Sequence, residues 1–154
     1  MTNIIEDRDL SIKIGKERLY IRVAIILKDI DGYIFERNPK GNYLYFIGGK
    51  IKLNEDSKVS AQREIFEELG IKVALKDLEF KTFIEHFFVS RNEKEKVHEY
   101  CMVYELKIPK KKIKLREGFF NLKLKEVKKS EILPKILKDI LVKGKIEKHY
   151  IAID

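Results

Sequence analysis

The stretch GKIKLNEDSKVSAQREIFEELGI, residues 49–71, decides how this chain is read. Ser57 to Leu69 is its clearest helix. Asp56 or Ser57 can cap the N-terminus, since a short side-chain oxygen reaches the free N–H groups of a first turn. Gly70 stands where a left-handed residue ends a helix. On a helical projection Glu64, Glu67 and Glu68 share one arc, at about 0°, 300° and 40°. Val59, Gln62, Ile65, Phe66 and Leu69 occupy the opposite arc, at roughly 100° to 220°. The spacing predicts one face packed on a sheet and another presenting three carboxylates.

Three like charges at i, i+3 and i+4 repel one another and weaken an isolated helix. A hard divalent cation would offset that, and Mg²⁺ commonly binds through a few carboxylates plus substrate phosphates. The rival reading is a solvated acidic face, the ordinary state of glutamates on helices. Arg63, one turn before Glu67, can orient that carboxylate through an i,i+4 pair.

Outward from this stretch the pattern alternates strands with loops. Leu19 to Leu27 reads as a central strand, apolar on both faces towards its end. Asp31-Gly32 signals a tight hairpin, with Tyr33 to Arg37 returning as the partner strand. Asn38 to Asn42 is a loop, followed by the short strand Tyr43 to Ile47 and the pair Gly48-Gly49. Val73 to Leu75, Phe80 to Val89 and Val97 to Ile108 read as strands, the last two joined by the charged loop Arg91 to Lys96. Phe119 to Leu122 is a further strand. Pro134 to Val142 reads as a helix with Ile136, Leu137, Ile140 and Leu141 on one face, and Tyr150 to Ile153 as a closing edge strand. Mixed strands with two or three helices predict an α/β sandwich, and the absence of repeats or linkers predicts one domain over residues 1–154.

Composition bounds the partners. Charged residues make up 38% of the chain and apolar ones 44%, as in a globular protein with a charged surface. No apolar run approaches the roughly 20 residues that span a bilayer, so no membrane partner is expected. Met1 to Leu10 carries Glu6, Asp7 and Asp9 and does not read as a signal peptide. The cytoplasm is the expected compartment. Cys101 is the single cysteine and sits in an apolar run, which reads as a buried structural thiol. The formal charge of +8 admits a nucleic-acid partner, but lysine is spread along the chain and enriched only between Lys107 and Lys129. Phe119 and Phe120 within that stretch read as core. A small anionic substrate would profit equally from a positive field.

Residues 49–71 resemble the Nudix box, G-x5-E-x7-R-E-U-x-E-E-x-G-U with U aliphatic. Gly49, Glu55, Arg63, Glu64, Ile65, Glu67, Glu68, Gly70 and Ile71 fill every specified position. A chance match in a chain this long is on the order of one in ten million. The resemblance implies a Nudix fold, a mixed β-sheet sandwiched between α-helices, and a metal site on the box helix. Glu67 and Glu68 would be ligands, and Glu64 a further ligand or a base. Gly49 would let the loop approach helix and metal. Arg63 would orient Glu67, and Glu55 would support the structure around the site. The implied cofactor is Mg²⁺, with Mn²⁺ as its alternative.

Two departures bear on substrate. Ile47 stands where many relatives carry Pro before the glycine pair. Downstream of the box, the Pro typical of ADP-ribose pyrophosphatases and the Tyr of dinucleoside polyphosphate hydrolases are missing, with Phe87 and Phe88 in that region instead.

Outside the box, Glu99 is the candidate for the extra carboxylate that several Nudix enzymes use as ligand or base; a solvated strand-start charge is its rival. His86 reads as a satisfied strand histidine before a catalytic one, and His98 receives no role. Tyr43, Tyr45, Phe87 and Phe88 could stack on a base, though strand aromatics are usually core. Arg22 interrupts an apolar strand and needs a partner, either a substrate phosphate or an internal carboxylate.

The implied activity is Mg²⁺-dependent hydrolysis of a nucleoside diphosphate linked to another moiety, or of a nucleoside triphosphate, by water attack on phosphorus. A small-molecule nucleotide is therefore the expected partner. Removal of pyrophosphate from RNA 5′ ends is the alternative within the enzyme class, favoured by the Lys110-Lys111-Lys112 run. A Nudix-fold sensor that binds a nucleotide without cutting it is the alternative outside it. Such sensors commonly lose box glutamates, and here all are present. A homodimer is compatible with the resemblance, but no interface can be read from the sequence.

Overall fold

The computed structural model describes residues 7–154, so the start of the segment read as no signal peptide lies outside the described residues. Elements run in the order β1 (Ser11–Ile14), β2 (Glu17–Lys28), β3 (Tyr33–Arg37), β4 (Leu44–Lys50), α1 (Ser57–Leu69), β5 (Glu79–Val89), β6 (Lys96–Lys107), β7 (Phe119–Leu122), α2 (Leu124–Lys129), β8 (Ile132–Leu133), α3 (Lys135–Lys143) and β9 (His149–Ile153). The main strand order is β7-β3-β4-β2-β6-β5-β9, with β1 on β2 and β8 on β4. β2 and β6 are parallel along their whole lengths, and most other pairs are antiparallel.

Alternation along β2 builds two cores. Val23, Ile25 and Leu27 pack with Ala61, Ile65 and Leu69 of α1 on one face. Ala24 and Ile26 pack with Val127 of α2 and with Leu137 and Ile140 of α3 on the other. A strand apolar on both faces needs cover on both, and the expected sandwich follows from that. Among the described residues no helix is long and apolar enough to cross a membrane.

Several boundaries differ from the sequence reading. The expected β2–β3 hairpin is reduced to one residue pair, Lys28 with Tyr33. β4 lies between the two strands instead, pairing Val23 with Gly49 and Ala24 with Gly48. Glycine permits this approach, because a Cβ at Gly48 would strike the Val23 carbonyl oxygen. Val73–Leu75 is not a strand. The Val73 carbonyl accepts from Gln62 Nε2 at 2.7 Å and the chain turns into a 3₁₀ helix, Leu75–Asp77, so no sheet ladder forms. β1, α2 and β8 escaped the sequence reading; they are short, and β1 exposes Ile12 and Ile14. Phe120 is not core either: it is 39% exposed, with the Arg37 guanidinium 5.6 Å from its ring centroid.

Candidate functional site

The box helix begins where the sequence places it. Asp56 accepts from the Val59 N–H at 2.8 Å, and Gly70 closes α1 in the left-handed region at φ 71°, its N–H on the Phe66 carbonyl. The buried face, however, is rotated from the expected one. Ser60, Ala61, Glu64, Ile65 and Leu69 are buried, while Phe66 is 49% exposed. Glu64 turns inward because β4 offers Gly49 at that point. A Cβ there would collide with the Glu64 carboxylate. The glycine pair is the gap through which acidic side chains enter the fold. Gly49→Ala should therefore displace Glu64 and cost about 1–3 kcal/mol of stability. A urea midpoint unchanged from the wild type would show that the carboxylate has room to move.

Arg63 organises the acidic groups. Its Nε and Nη2 grip Glu55 Oε2 and Oε1 at 2.7 and 2.8 Å, a two-pronged pair fixed by guanidinium geometry. Nη1 reaches Glu64 Oε1 at 2.9 Å and Glu67 Oε2 at 3.1 Å, so the expected i,i+4 pair is one arm of a larger network. The Arg63 hydrogen bonds hold the Glu55 carboxyl far below the usual range, at about 2, and Glu55 in turn raises Arg63. Glu55 also accepts from the Lys52 N–H at 3.2 Å, which ties the loop to the helix.

Glu68 is different. It makes no salt bridge among the described residues, and its Oε2 is buried without a hydrogen-bond partner. Burial, reinforced by Glu36 and Glu64, pushes its carboxyl up to about 8, against the pull of the Gly48 backbone and Arg22. Burial raises Glu64 too, with Arg63 opposing. As placed, no three His, Cys, Asp or Glu side chains among the described residues stand close enough to hold a metal ion. Arg63 draws Glu64 and Glu67 to itself, away from Glu68.

Beside Gly48 a cavity of about 770 Å³ opens on the sheet face that also carries α3. Arg22 of β2, Glu99 and Cys101 of β6, and His86 and Phe88 of β5 line it side by side. The registers do this, setting Arg22 opposite Cys101 and His86 opposite Glu99. Glu99 is 4% exposed, which overturns its reading as a solvated strand-start charge. It stands 3.9 Å from Arg22 Nη1 and 3.8 Å from His86 Nδ1. Arg22 thus has an internal carboxylate and faces the cavity as well. Burial acts to lower His86, but Glu99 and Asp154 outweigh it and raise the imidazole; Asp154 Oδ2 lies 2.6 Å from Nε2. Cys101 is buried, and desolvation pushes its thiol up to about 12, as suits a structural thiol.

Of the aromatics, Tyr43, Tyr45 and Phe88 reach the cavity wall, whereas Phe87 is partly exposed and stacks on His98 with centroids 4.3 Å apart. His98 does not line the cavity. Glu36 and Asp154 do, and neither was read as a site residue. Glu36 had a signal, a lone acid in the apolar strand Tyr33–Arg37, and burial raises its carboxyl. Lys111 and Lys112 border another cavity, about 1030 Å³, past the C-terminal end of α1 with Lys114 and Arg116. The lysine run therefore does not face Gly48.

A family model described as the NUDIX domain matches residues 20–139. No curated protein matches the sequence. Among solved structures, a mutator MutT protein from Bacillus halodurans is similar at TM-score 0.66 and 17% identity, over 86% of this chain and 90% of that one. The Caenorhabditis elegans Ap4A hydrolase is similar at TM-score 0.58 and 13% identity, covering 82% and 96%. A bifunctional NMN adenylyltransferase/ADP ribose pyrophosphatase from Francisella tularensis, complexed with AMP and a manganese ion, is similar at TM-score 0.59 and 13% identity, covering 84% of this chain and 42% of that one. At such identities the likeness is one of fold, and the family rests on the domain match and the intact box that the fold presents. The chain belongs to the Nudix family and is a hydrolase of the pyrophosphatase type.

Proposed function

We propose that this protein, as one domain, is a divalent-metal-dependent pyrophosphohydrolase. It cleaves a nucleoside diphosphate linked to another moiety, or a nucleoside triphosphate, by attack of water on phosphorus. One observation carries the reading: a buried Glu68 carboxyl oxygen with no partner, within electrostatic reach of Glu64 and of Gly48, Glu36 and Arg22 in the cavity wall. A carboxylate in that state calls for a cation. The donors are oxygens, which suits Mg²⁺ or Mn²⁺. Glu64, Glu67 and Glu68 with the Gly49 backbone would hold the ion. When bound, it would neutralise diphosphate charge and lower the pKa of a bound water.

The chain's own residues supply the rest. Arg63 sets the Glu64 and Glu67 side chains while anchored on Glu55. Arg22 offers its guanidinium to a phosphate oxygen at the cavity floor, with Glu99 fixing its direction. Either Glu64 or Glu99 can accept the proton of the attacking water, since both are buried carboxylates beside the cation-seeking group or the cavity. Tyr45 and Phe88 give the cavity apolar surface for a base, and its volume is that of a small-molecule site.

The test is phosphate release from a panel of ADP-ribose, dinucleoside polyphosphates, nucleotide sugars, nucleoside triphosphates and triphosphorylated RNA, with and without Mg²⁺. A Glu67→Gln/Glu68→Gln variant runs beside the wild type. Metal-dependent turnover that this variant loses is expected, and the panel then selects the substrate class. Tight binding of one compound without turnover would favour a sensor instead.

A further inference from the structure

The cavity past the C-terminal end of α1, about 1030 Å³, takes no part in the function proposed above. Its floor is apolar. Leu69, Leu106 and Ile113 are buried there, and Ile71 and Leu115 are half-buried. Its rim is cationic, with six lysine and arginine side chains against three carboxylates. Lys107 is engaged by Glu105 at 3.4 Å and Lys112 by Asp31 at 3.5 Å. Lys72, Lys111, Lys114 and Arg116 have no carboxylate within salt-bridge distance among the described residues. The lysines are not needed to hold the loop that carries them. The Ile113 N–H donates to the buried Asp29 at 3.0 Å, and the Lys111 and Gly118 carbonyls accept from the Ile30 and Arg37 N–H groups. Backbone bonds fix this wall in advance and leave the ammonium groups for a ligand.

Arg116 joins this cavity to the box helix. Its Nη1 donates to the Glu67 carbonyl at 3.1 Å and the Glu68 carbonyl at 3.4 Å, two of the last-turn carbonyls that no helical N–H reaches. Gly70 makes the room, since a Cβ there would collide with the guanidinium. The negative end of the α1 dipole therefore leans on Arg116. An anion in the cavity competes with that helix end for the same group. A preformed concavity with an apolar floor and several unmatched cations suits a small molecule that carries a flat apolar part and more than one negative charge. We propose that the cavity is a regulatory site for a nucleoside di- or triphosphate, which acts by drawing Arg116 off the Glu67 and Glu68 carbonyls. The last turn of the box helix then loosens, and the carboxylates it carries hold a cation less firmly. Only this last step rests on the proposed metal site; the binding and the loosening do not.

Equilibrium dialysis with ADP in EDTA tests the site without turnover. ADP should bind, and Lys111→Glu/Lys114→Glu should weaken that binding about tenfold or more. Lys72→Glu, on the segment that follows α1, should act in the same direction. Arg22→Ala, which alters the other cavity, should leave this binding in place. All these variants should keep the circular dichroism of the wild type. Amide hydrogen exchange reads the coupling. The Gly70 N–H, bonded to the Phe66 carbonyl, should exchange several-fold faster with ADP bound. In Lys111→Glu/Lys114→Glu the same ADP should leave that exchange unchanged, and in Arg116→Ala it should be fast with or without ADP. ADP binding indifferent to all three lysines, or binding at the lysines with Gly70 exchange unaltered, would overturn the inference. So would capture of a single-stranded oligonucleotide at this face with no affinity for ADP.

Discussion

Replacing Glu68 by Gln is expected to abolish turnover while making the metal-free protein more stable. The two effects share one cause. Glu68 is buried, one of its oxygens lacks a partner, and its carboxyl is pushed up to about 8 from an ordinary value near 4.5. A group whose folded pKa lies above its unfolded one binds its proton more tightly in the folded state. Stability then falls as pH rises from about 4.5 towards about 8, because over that range the fold must keep this carboxyl protonated while the unfolded chain ionises it. Glutamine keeps the shape without the charge. Near pH 8 and in EDTA the variant should gain roughly 2–4 kcal/mol, several degrees in Tm. The gain should shrink as pH approaches 5. Turnover should fall by at least ~10³-fold, because an anionic oxygen is lost from the proposed cation site. Thermal melts in EDTA across pH, set beside phosphate release with Mg²⁺, check both halves. A destabilised variant at pH 8 would mean that Glu68 is satisfied in the fold.

The second large effect falls on Arg63. Arg63→Ala should lower stability by about 3–5 kcal/mol, because it strands Glu55, only 12% exposed at its side chain, without its partner. Turnover should fall as well, since Glu64 and Glu67 lose the arm that sets them. Lysine should not rescue it; an ammonium cannot grip both Glu55 oxygens and still reach Glu64. The acid limb gives an independent reading. The Glu55 pKa is depressed to about 2, so its contribution is present above about 4.5 and lost as pH falls towards about 2. That limb should flatten in Arg63→Ala and in Glu55→Gln alike. A double-mutant cycle by urea denaturation should show the two sites coupled. Additive losses would mean that the pair contributes nothing as a pair.

The helix at the heart of the site was legible because its signals are local. Asp56 caps, Gly70 stops and the glutamates keep their spacing whatever the rest of the chain does. Strand positions were legible for a similar reason, with β3 found at Tyr33–Arg37 and β5 and β6 within a residue or two. What the helix buries was not. A helical projection put Phe66 inside and Glu64 outside, which assumes that a sheet offers apolar side chains to its helix. Here β4 offers Gly48 and Gly49, and the missing side chains leave space that Glu64 fills.

Sequence alone determined the family: a complete box and its capped helix lie within 23 consecutive residues, residues 49–71. Only the tertiary structure decided what stands around it. Arg22, His86, Glu99 and Asp154 are scattered over more than half the chain; the first three are each by themselves ordinary strand residues, and Asp154 follows the last strand. The parallel register of β2 on β6, the antiparallel register of β5 on β6 and the parallel register of β9 on β5 bring them to one cavity floor. Strand register depends on which distant surfaces bury one another, and a one-residue slip would turn all of them to the other face. That choice is made by the two cores together, and no short window of sequence contains it.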